Sequence, residues 1–189
     1  MQRIDPRETA LIIVDMQNYF AHPNGTAFRD YEGAIIQNPH EIIFPIQRLI
    51  EHAQKMESPV IFLFSKLNYY IDDWDNQIIK EFSPHKEGLV ISKEKDDGFS
   101  NPVLDLYLKE KDVKNVIICG LLSNCCVKET ALGAQEKGYR VYIATDAVFP
   151  DLTDAQYESF FKSPDSRKRP IKIPPIFVHT SEILETVKG

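Results

Sequence analysis

The sequence is poor in cysteine, has no excess of positive charge and contains no long apolar run, and each absence excludes a class of protein. Three cysteines in 189 residues, two of them adjacent, make a poor disulfide framework and favour a reducing cytoplasm. The net charge of −6 argues against nucleic acid and anionic membrane surfaces as partners. No apolar run could span a bilayer, and the charged first residues are unlike a signal peptide.

The composition is that of an ordinary globular protein, with 43% apolar and 26% charged residues. A chain of this length is expected to form one domain, residues 1–189, with a sizeable core. It contains no internal repeat or interdomain linker. The proline-rich and basic segment Ser163–Pro175 is interpreted as a solvated loop, with a lid or a subunit-contact arm as the alternative.

Short apolar runs alternate with helical patterns along the chain. Strands are predicted at Ala10–Val14, Val60–Phe64, Leu89–Ile91, Val116–Cys119, Val141–Ala144 and Ile176–Val178. Helices are predicted near His40–Met56, Pro102–Lys111, Cys125–Lys137 and Ser181–Val187, with weaker patterns near Trp74–Phe82 and Thr153–Phe161. Almost purely apolar strands indicate burial on both faces. The alternation therefore predicts an α/β fold, a three-layer doubly wound sandwich with a mostly parallel sheet of about six strands.

Reactive side chains follow several of these strands. Asp15 follows the first strand, Lys93 follows the third, and Cys125 and Cys126 lie one short turn beyond the fourth. Each residue alone is more often a surface charge or a small buried side chain. The ends of parallel strands meet at one edge of a sheet, however, so an acid, an ammonium and a thiol can converge there. Together they predict a site in which the carboxylate takes the thiol proton and the thiolate attacks a carbonyl.

The position of the cysteine pair also suggests how its reactivity is controlled. The pair is predicted at the amino end of a helix, where unpaired N–H groups and the helix dipole favour negative charge. We therefore expect a lowered thiol pKa there.

Three separated motifs carry a resemblance to a known superfamily. They are A-L-I-I-V-D-M-Q-N-Y-F at Ala10–Phe20, K-E-K-D-D-G-F at Lys93–Phe99 and G-L-L-S-N-C-C-V-K-E-T-A at Gly120–Ala131. In order and spacing they resemble the isochorismatase-like cysteine hydrolases. That superfamily contains nicotinamidase, N-carbamoylsarcosine amidohydrolase, biuret hydrolase and ureidoacrylate amidohydrolase. The resemblance covers about Ala10–Ala147 and returns weakly at Val178–Leu184.

The resemblance implies a catalytic triad of Asp15, Lys93 and Cys126. Cys126 is chosen because the nucleophile of this superfamily directly precedes a valine, here Val127. Cys125 then occupies a variable position. Cys119 lies inside a predicted strand and is expected to be an inert core residue.

The resemblance also implies how the turn before Cys126 is built and what surrounds it. The backbone N–H groups of Leu122 and Cys126 would form the oxyanion hole, with a cis peptide bond between Leu121 and Leu122. The segment Trp74–Phe82 is similar to a segment of ureide and biuret hydrolases. The implied substrate-binding residues are Phe20, Trp74, Phe99 and Asn124.

Two departures from the superfamily pattern exclude some of its members' substrates and cofactors. The segment after the second strand lacks the histidines of the nicotinamidase metal site, so we expect no catalytic metal, no other cofactor and a substrate other than nicotinamide. Members that cleave the vinyl ether of isochorismate typically lack the cysteine. The resemblance therefore implies a homo-oligomeric hydrolase that cleaves a C–N bond of a small amide or ureide through a cysteine thioester.

Other functions remain open at this point. One is hydrolysis of isochorismate or another vinyl ether, and another is a non-catalytic member of the fold. A redox protein using Cys125 and Cys126 is disfavoured, because adjacent cysteines are sterically poor disulfide partners.

Overall fold

The computed structural model describes residues 3–27, 40–66, 73–85, 88–149 and 175–188. The strands are β1 (Thr9–Val14), β2 (Val60–Ser65), β3 (Leu89–Lys93), β4 (Asn115–Leu121), β5 (Arg140–Phe149) and β6 (Ile176–Val178). They form one sheet in the order β3-β2-β1-β4-β5-β6, and every neighbouring pair is parallel. The predicted doubly wound α/β sandwich is confirmed, and each predicted apolar run lies inside an observed strand.

Helices flank this sheet. They are α1 (Asn18–Ala21), α2 (His40–Lys55), α3 (Pro102–Glu110), α4 (Lys128–Glu136) and α5 (Thr180–Thr186). Short 3-10 turns occur at Pro6–Glu8, Lys80–His85 and Gly98–Ser100, and one π-helical turn spans Ser123–Val127. Asn101 begins α3 by accepting a hydrogen bond from the Val103 N–H, with proline at the first helical position. Within the described ranges, no helix combines the length and apolarity needed to cross a bilayer.

The two central strands form the middle of the core. All six residues of β1 are buried, and so are all residues of β4 after Asn115. A parallel strand buried on both faces has no polar alternation, which explains why these runs are almost purely apolar. The sheet therefore offers solvent mainly the ends of its strands.

Part of the helix prediction is wrong. Residues 74–79 form turns and an isolated antiparallel bridge between Gln17 and Ile78, and a 3-10 turn begins only at Lys80. This segment takes its hydrogen bonds from the chain after β1, as in the bond from the Ile79 N–H to the Met16 carbonyl. It buries Ile79 and Phe82 in this way without the i to i−4 hydrogen bonds of an α-helix.

The predicted helix near Cys125–Lys137 is confirmed from Lys128 to Glu136, but its first turn is π-helical rather than α-helical. The helix predicted near Thr153–Phe161 lies outside the described residues. So does the segment Ser163–Pro175, except for Pro175 itself.

The strand order reverses its direction of growth between β1 and β4. The chain leaves β1 in one direction to build β2 and β3, then returns to the other side of β1 to build β4. In open α/β sheets, ligands bind beyond the carboxyl ends of the strands at this reversal point. Asp15 directly follows β1, and Cys126 lies in the turn after β4.

Candidate active site

Four neighbouring strands place polar side chains at one edge of the sheet. Lys93 ends β3, Ser65 ends β2, Asp15 follows β1, and Cys126 lies beyond β4. These strands are adjacent in the same order, so the four residues follow one another along the edge. The structure thus brings together the three residues predicted from the sequence and adds Ser65.

Lys93 and Asp15 form a buried ion pair. The Nζ of Lys93 lies 2.8 Å from Oδ2 of Asp15, and their side chains are 0% and 2% exposed. Asp15 has a left-handed backbone conformation (φ of 52°), which aspartate tolerates better than most residues and which turns the chain out of β1. A buried charge pair is maintained only when both ions are well partnered.

Ser65 bridges the two members of this ion pair. Its Oγ accepts a hydrogen bond from Lys93 Nζ at 2.8 Å and donates one to Asp15 Oδ1 at 3.1 Å. The sequence analysis missed Ser65, because a serine after an apolar run is usually only the point where a strand ends.

Gln17 holds the backbone of Ser65. Its Oε1 accepts a hydrogen bond from the Ser65 N–H at 2.9 Å, and its Nε2 donates to the Ser65 carbonyl at 3.1 Å. Gln17 is 0% exposed. The sequence analysis also missed this residue, although a buried amide two positions after Asp15 is a signal that the D-M-Q motif contains.

The raised pKa of Lys93 fixes the charge on this residue. Burial alone would lower its pKa, but the charges of Asp15 and Cys126 and their hydrogen bonds outweigh that effect. Lys93 is therefore a permanent cation at neutral pH and cannot serve as the base.

Cys126 is a buried thiol surrounded by anionic and sulfur groups. Its Sγ donates a hydrogen bond to Asp96 Oδ1 at 3.8 Å. The ligand atoms of Asp96, Cys125 and Cys126 all lie within 4.8 Å of one another. The hydrogen bond with Cys125, burial and the Asp15 carboxylate raise the pKa of Cys126, and the charge of Lys93 opposes them.

The expected lowering of the Cys126 pKa is therefore wrong for the resting site. Cys126 lies in the π-helical turn, two residues before α4, and the hydrogen bond with Cys125, burial and the Asp15 carboxylate outweigh the nearby helix. The pKa of Cys125 is instead lowered, chiefly because Cys125 takes part in the hydrogen bond with Cys126. At rest, Cys126 is therefore a neutral thiol.

The turn before Cys126 has an unusual backbone. The Leu121–Leu122 peptide bond is cis, which confirms the prediction from the motif. Gly120 has φ of 109°, and a Cβ added there would lie 2.2 Å from the Val14 carbonyl oxygen. Glycine is thus required where β4 passes β1. The Leu122 carbonyl accepts hydrogen bonds from the N–H groups of Cys125 and Val127 and closes the π-helical turn.

The proposed pocket residues occupy different environments. Trp74 is half-buried, and its ring meets the His22 ring edge-on at 4.8 Å. Phe20 is half-buried in α1, and Asn124 is exposed in the π-helical turn. Phe99 is buried in the core, where its ring packs on that of Tyr139 at 5.7 Å. Their roles toward a substrate stay predictions.

Cys119 behaves as the sequence predicts. It is fully buried in β4, and its Sγ donates to the Ile12 carbonyl at 3.7 Å. Burial raises the pKa of this thiol, which keeps it protonated.

The chain is also similar to characterised proteins in sequence. The ureidoacrylate amidohydrolase RutB of Caulobacter segnis is 24% identical over 160 residues, which cover 67% of this chain and 66% of the relative. The chain thus spans just under two thirds of that relative's length. RutB of Serratia proteamaculans is 28% identical over 158 residues, covering 66% of this chain and 63% of the relative.

The fold has counterparts among solved structures. A cysteine hydrolase from Pseudomonas syringae pv. phaseolicola superposes with a TM-score of 0.78 at 24% identity, covering 98% of this chain and 95% of the other. The YcaC gene product of Escherichia coli is described as an octameric hydrolase of unknown specificity. It superposes with a TM-score of 0.72 at 18% identity, covering 98% of this chain and 81% of the other. The family model of the isochorismatase domain matches residues 9–163. The chain therefore belongs to the isochorismatase family.

Proposed function

We propose that the protein hydrolyses a C–N bond of a small amide or ureide through a thioester on Cys126. The observation that carries this proposal is the buried ion pair of Lys93 and Asp15 at the strand ends beside the Cys126 thiol. The names of the relatives agree with it, because RutB is an amidohydrolase and the Pseudomonas structure is a cysteine hydrolase.

The first half of the reaction forms the thioester. Asp15 takes the proton of Cys126 as its sulfur attacks the substrate carbonyl, and the resting thiol form of Cys126 makes this proton transfer necessary. The backbone N–H groups of Leu122 and Cys126 hold the oxyanion. Asp15 then protonates the departing ammonia or amine, and the C–N bond breaks.

The second half regenerates the enzyme. Asp15 takes a proton from water, which attacks the thioester carbonyl, and the thiolate leaves and regains its proton. Lys93 stays protonated throughout and stabilises the negative charge that passes between Asp15 and Cys126. The products are a carboxylic or carbamic acid and the released amine.

We further propose that no metal ion or other cofactor takes part. The protein's own acid, cation and thiol account for every proton and bond in this reaction. The sequence from Ser65 to Asp75 contains no histidine that could supply the imidazole ligands common in catalytic metal sites.

We also propose which residues contact the substrate and that the protein forms a homo-oligomer. Trp74, Phe20 and Asn124 would contact a small substrate at the edge of the site, with Phe99 supporting it from the core. A homo-oligomer is proposed from the family, one of whose structures is described as octameric. Light scattering coupled to gel filtration would give the mass in solution. The cytoplasmic location stays a prediction from the sequence.

A panel of small amides and ureides, scored for ammonia or amine release, tests the proposed function. We expect at least one substrate to be turned over by the wild-type protein and not by Cys126→Ala. Release of pyruvate from isochorismate with no amide turnover would favour the vinyl ether alternative, which the name of the family supports. Failure of every substrate of both kinds would favour a non-catalytic member.

A further inference from the structure

The strand order forces Lys93 to reach Asp15 across the end of β2. Strand β2 lies between β3 and β1, and its last residue, Ser65, is in register with Lys93. A short side chain at this position leaves room for the ammonium group. The Ser65 hydroxyl also contacts both members of the ion pair, at 2.8 Å from Lys93 Nζ and 3.1 Å from Asp15 Oδ1.

The chemistry of the two neighbours fixes the direction of these hydrogen bonds. An ammonium group has only donors, so the single hydroxyl hydrogen of Ser65 cannot point toward Lys93. That hydrogen must point toward Asp15 Oδ1. The hydroxyl thus accepts from Lys93 and donates to Asp15, and Oδ1 is occupied.

The other carboxylate oxygen of Asp15 is in a different state. Oδ2 is buried and paired with the Lys93 ammonium at 2.8 Å, and no other described residue donates a hydrogen bond to it. A carboxylate oxygen can accept more than one hydrogen bond, so Oδ2 keeps an acceptor position beside its ion pair. This position fits a proton that arrives from the Cys126 thiol.

We propose that Ser65 is a positioning residue that orients the Asp15 carboxylate, so that Oδ2 is the oxygen that accepts the Cys126 proton. The proposal rests on the function proposed above. Gln17 supports this role, because its two hydrogen bonds to the Ser65 backbone fix the end of β2 beside the ion pair. A base held in this way needs little reorganisation when the substrate binds.

The test compares Ser65→Ala with Ser65→Thr, which keeps the hydroxyl. All variants are made in a Cys125→Ala background, so that Cys125 cannot be labelled in place of Cys126, while the fully buried Cys119 stays unreactive. The readouts are the rate of Cys126 alkylation by iodoacetamide, which needs no substrate, and kcat and KM on a substrate from the panel.

We expect Ser65→Ala to slow alkylation and lower kcat by about ten- to a hundred-fold, the range expected for one hydrogen bond to a charged group, with little change in KM. Ser65→Thr should restore most of both rates. Ser92→Ala is the matched control. Ser92 directly precedes Lys93 on β3, and its backbone carbonyl accepts a hydrogen bond from Asn101 Nδ2 at 2.7 Å, which a change of its side chain leaves in place, so this variant should keep the background rates.

Thermal melting followed by circular dichroism checks that each variant folds. If Ser65→Ala is unfolded, Ser65→Gly replaces it, because glycine also lacks the hydroxyl and adds no thiol that iodoacetamide could label. In a folded Ser65→Ala or Ser65→Gly variant, alkylation and kcat equal to those of the Cys125→Ala background would overturn the proposal, as would a folded Ser65→Thr variant without rescue. If the proposed function fails instead, the wild type turns over no amide while the alkylation rates still report on Ser65.

Discussion

The Lys93 ammonium and the Asp15 carboxylate lie 2.8 Å apart with almost no contact with solvent. Removal of one member of a buried pair leaves an uncompensated charge, which typically costs about 3–5 kcal/mol. We therefore expect Lys93→Met to lower the free energy of unfolding by about that amount and to abolish turnover.

The double variant Asp15→Leu, Lys93→Met separates stability from catalysis. With both charges replaced by apolar groups, most of the lost stability should return, while turnover stays absent. Urea unfolding of the wild type and both variants measures this. A double variant as unstable as the single one would show that the pair is not the source of the loss.

The nucleophile can be identified by substitution. Cys126→Ala should abolish turnover, because no other described thiol lies beside both Asp15 and Lys93. Cys125→Ala should retain most of it, since Cys125 has no proposed bond to the substrate. Initial rates of ammonia release compare the two variants. Substantial turnover by Cys126→Ala would reject the thioester mechanism.

The reactivity of Cys126 should depend on Cys125. The hydrogen bond with Cys125 is the largest contribution to the raised pKa of Cys126, followed by burial and Asp15, while Lys93 acts in the opposite direction. Cys125→Ala removes the largest contribution, so the pKa of Cys126 should fall and its thiolate should form at lower pH.

The rate of Cys126 alkylation is measured across a pH series, with fragment-ion mass spectrometry to distinguish Cys126 from Cys125. The midpoint, the pH at which the rate is half its maximum, reports the pKa of Cys126. We expect a lower midpoint in Cys125→Ala than in the wild type and no shift in Cys119→Ser. In the wild type, Cys125 should be labelled readily because it is half-buried and has a lowered pKa. An unchanged or higher midpoint in Cys125→Ala would contradict the coupling.

Turnover should not depend on a bound metal ion. After exhaustive dialysis against a chelator, we expect the full initial rate of amide hydrolysis and no stoichiometric zinc or iron by elemental analysis. Loss of activity that returns on adding a metal ion would reopen the nicotinamidase-like mechanism.

Asp105 should stabilise the fold in a pH-dependent way. Burial alone would raise its pKa, but hydrogen bonds from Lys109 at 2.8 Å and from the Tyr139 hydroxyl at 2.9 Å lower it below the ordinary value of 3.8. A carboxyl with a lowered folded pKa contributes stability above its unfolded pKa, and this contribution is lost as the pH falls through the folded pKa.

Tyr139→Phe removes one of these hydrogen bonds. At neutral pH we expect the free energy of unfolding to fall by about 1.5–3 kcal/mol, the range for a hydrogen bond to a charged group. This loss of stability should become smaller when Asp105 is protonated. Urea unfolding from neutral to acidic pH measures this. If the loss of stability in Tyr139→Phe is the same at every pH, it comes from packing of the ring and not from the hydrogen bond to Asp105.

The sequence was sufficient for the strands and for the residues that follow them. Apolar runs define β1 and β4, and Asp15 and Cys126 follow those strands in the chain, so local pattern and motif predict both. Ser65 was beyond this reasoning, because its bridging role depends on β2 lying between β3 and β1. Hydrophobic periodicity contains no information about strand order.

Two other features depend on contacts between distant segments. The apolar spacing of residues 74–82 suits a helix, but hydrogen bonds to the chain after β1 determine its structure. The pKa of Cys126 depends on its hydrogen bond with Cys125, on burial and on Asp15, and both the burial and the approach of Asp15 arise only in the folded chain. The predicted position of Cys126 at the start of a helix was therefore not enough to give the direction in which its pKa shifts.

Gly120 sets the spacing of Asp15 and Cys126 independently of the proposed pocket residues. Because the backbones of β1 and β4 touch at Gly120 and Val14, main-chain packing rather than any intervening side chain sets the distance between the strand ends that hold Asp15 and Cys126. Under the proposed function, side chains of the proposed pocket, such as Trp74 and Asn124, could be exchanged without moving these two residues. A lineage could in this way acquire new substrates by substitutions around the pocket while it keeps the same chemistry.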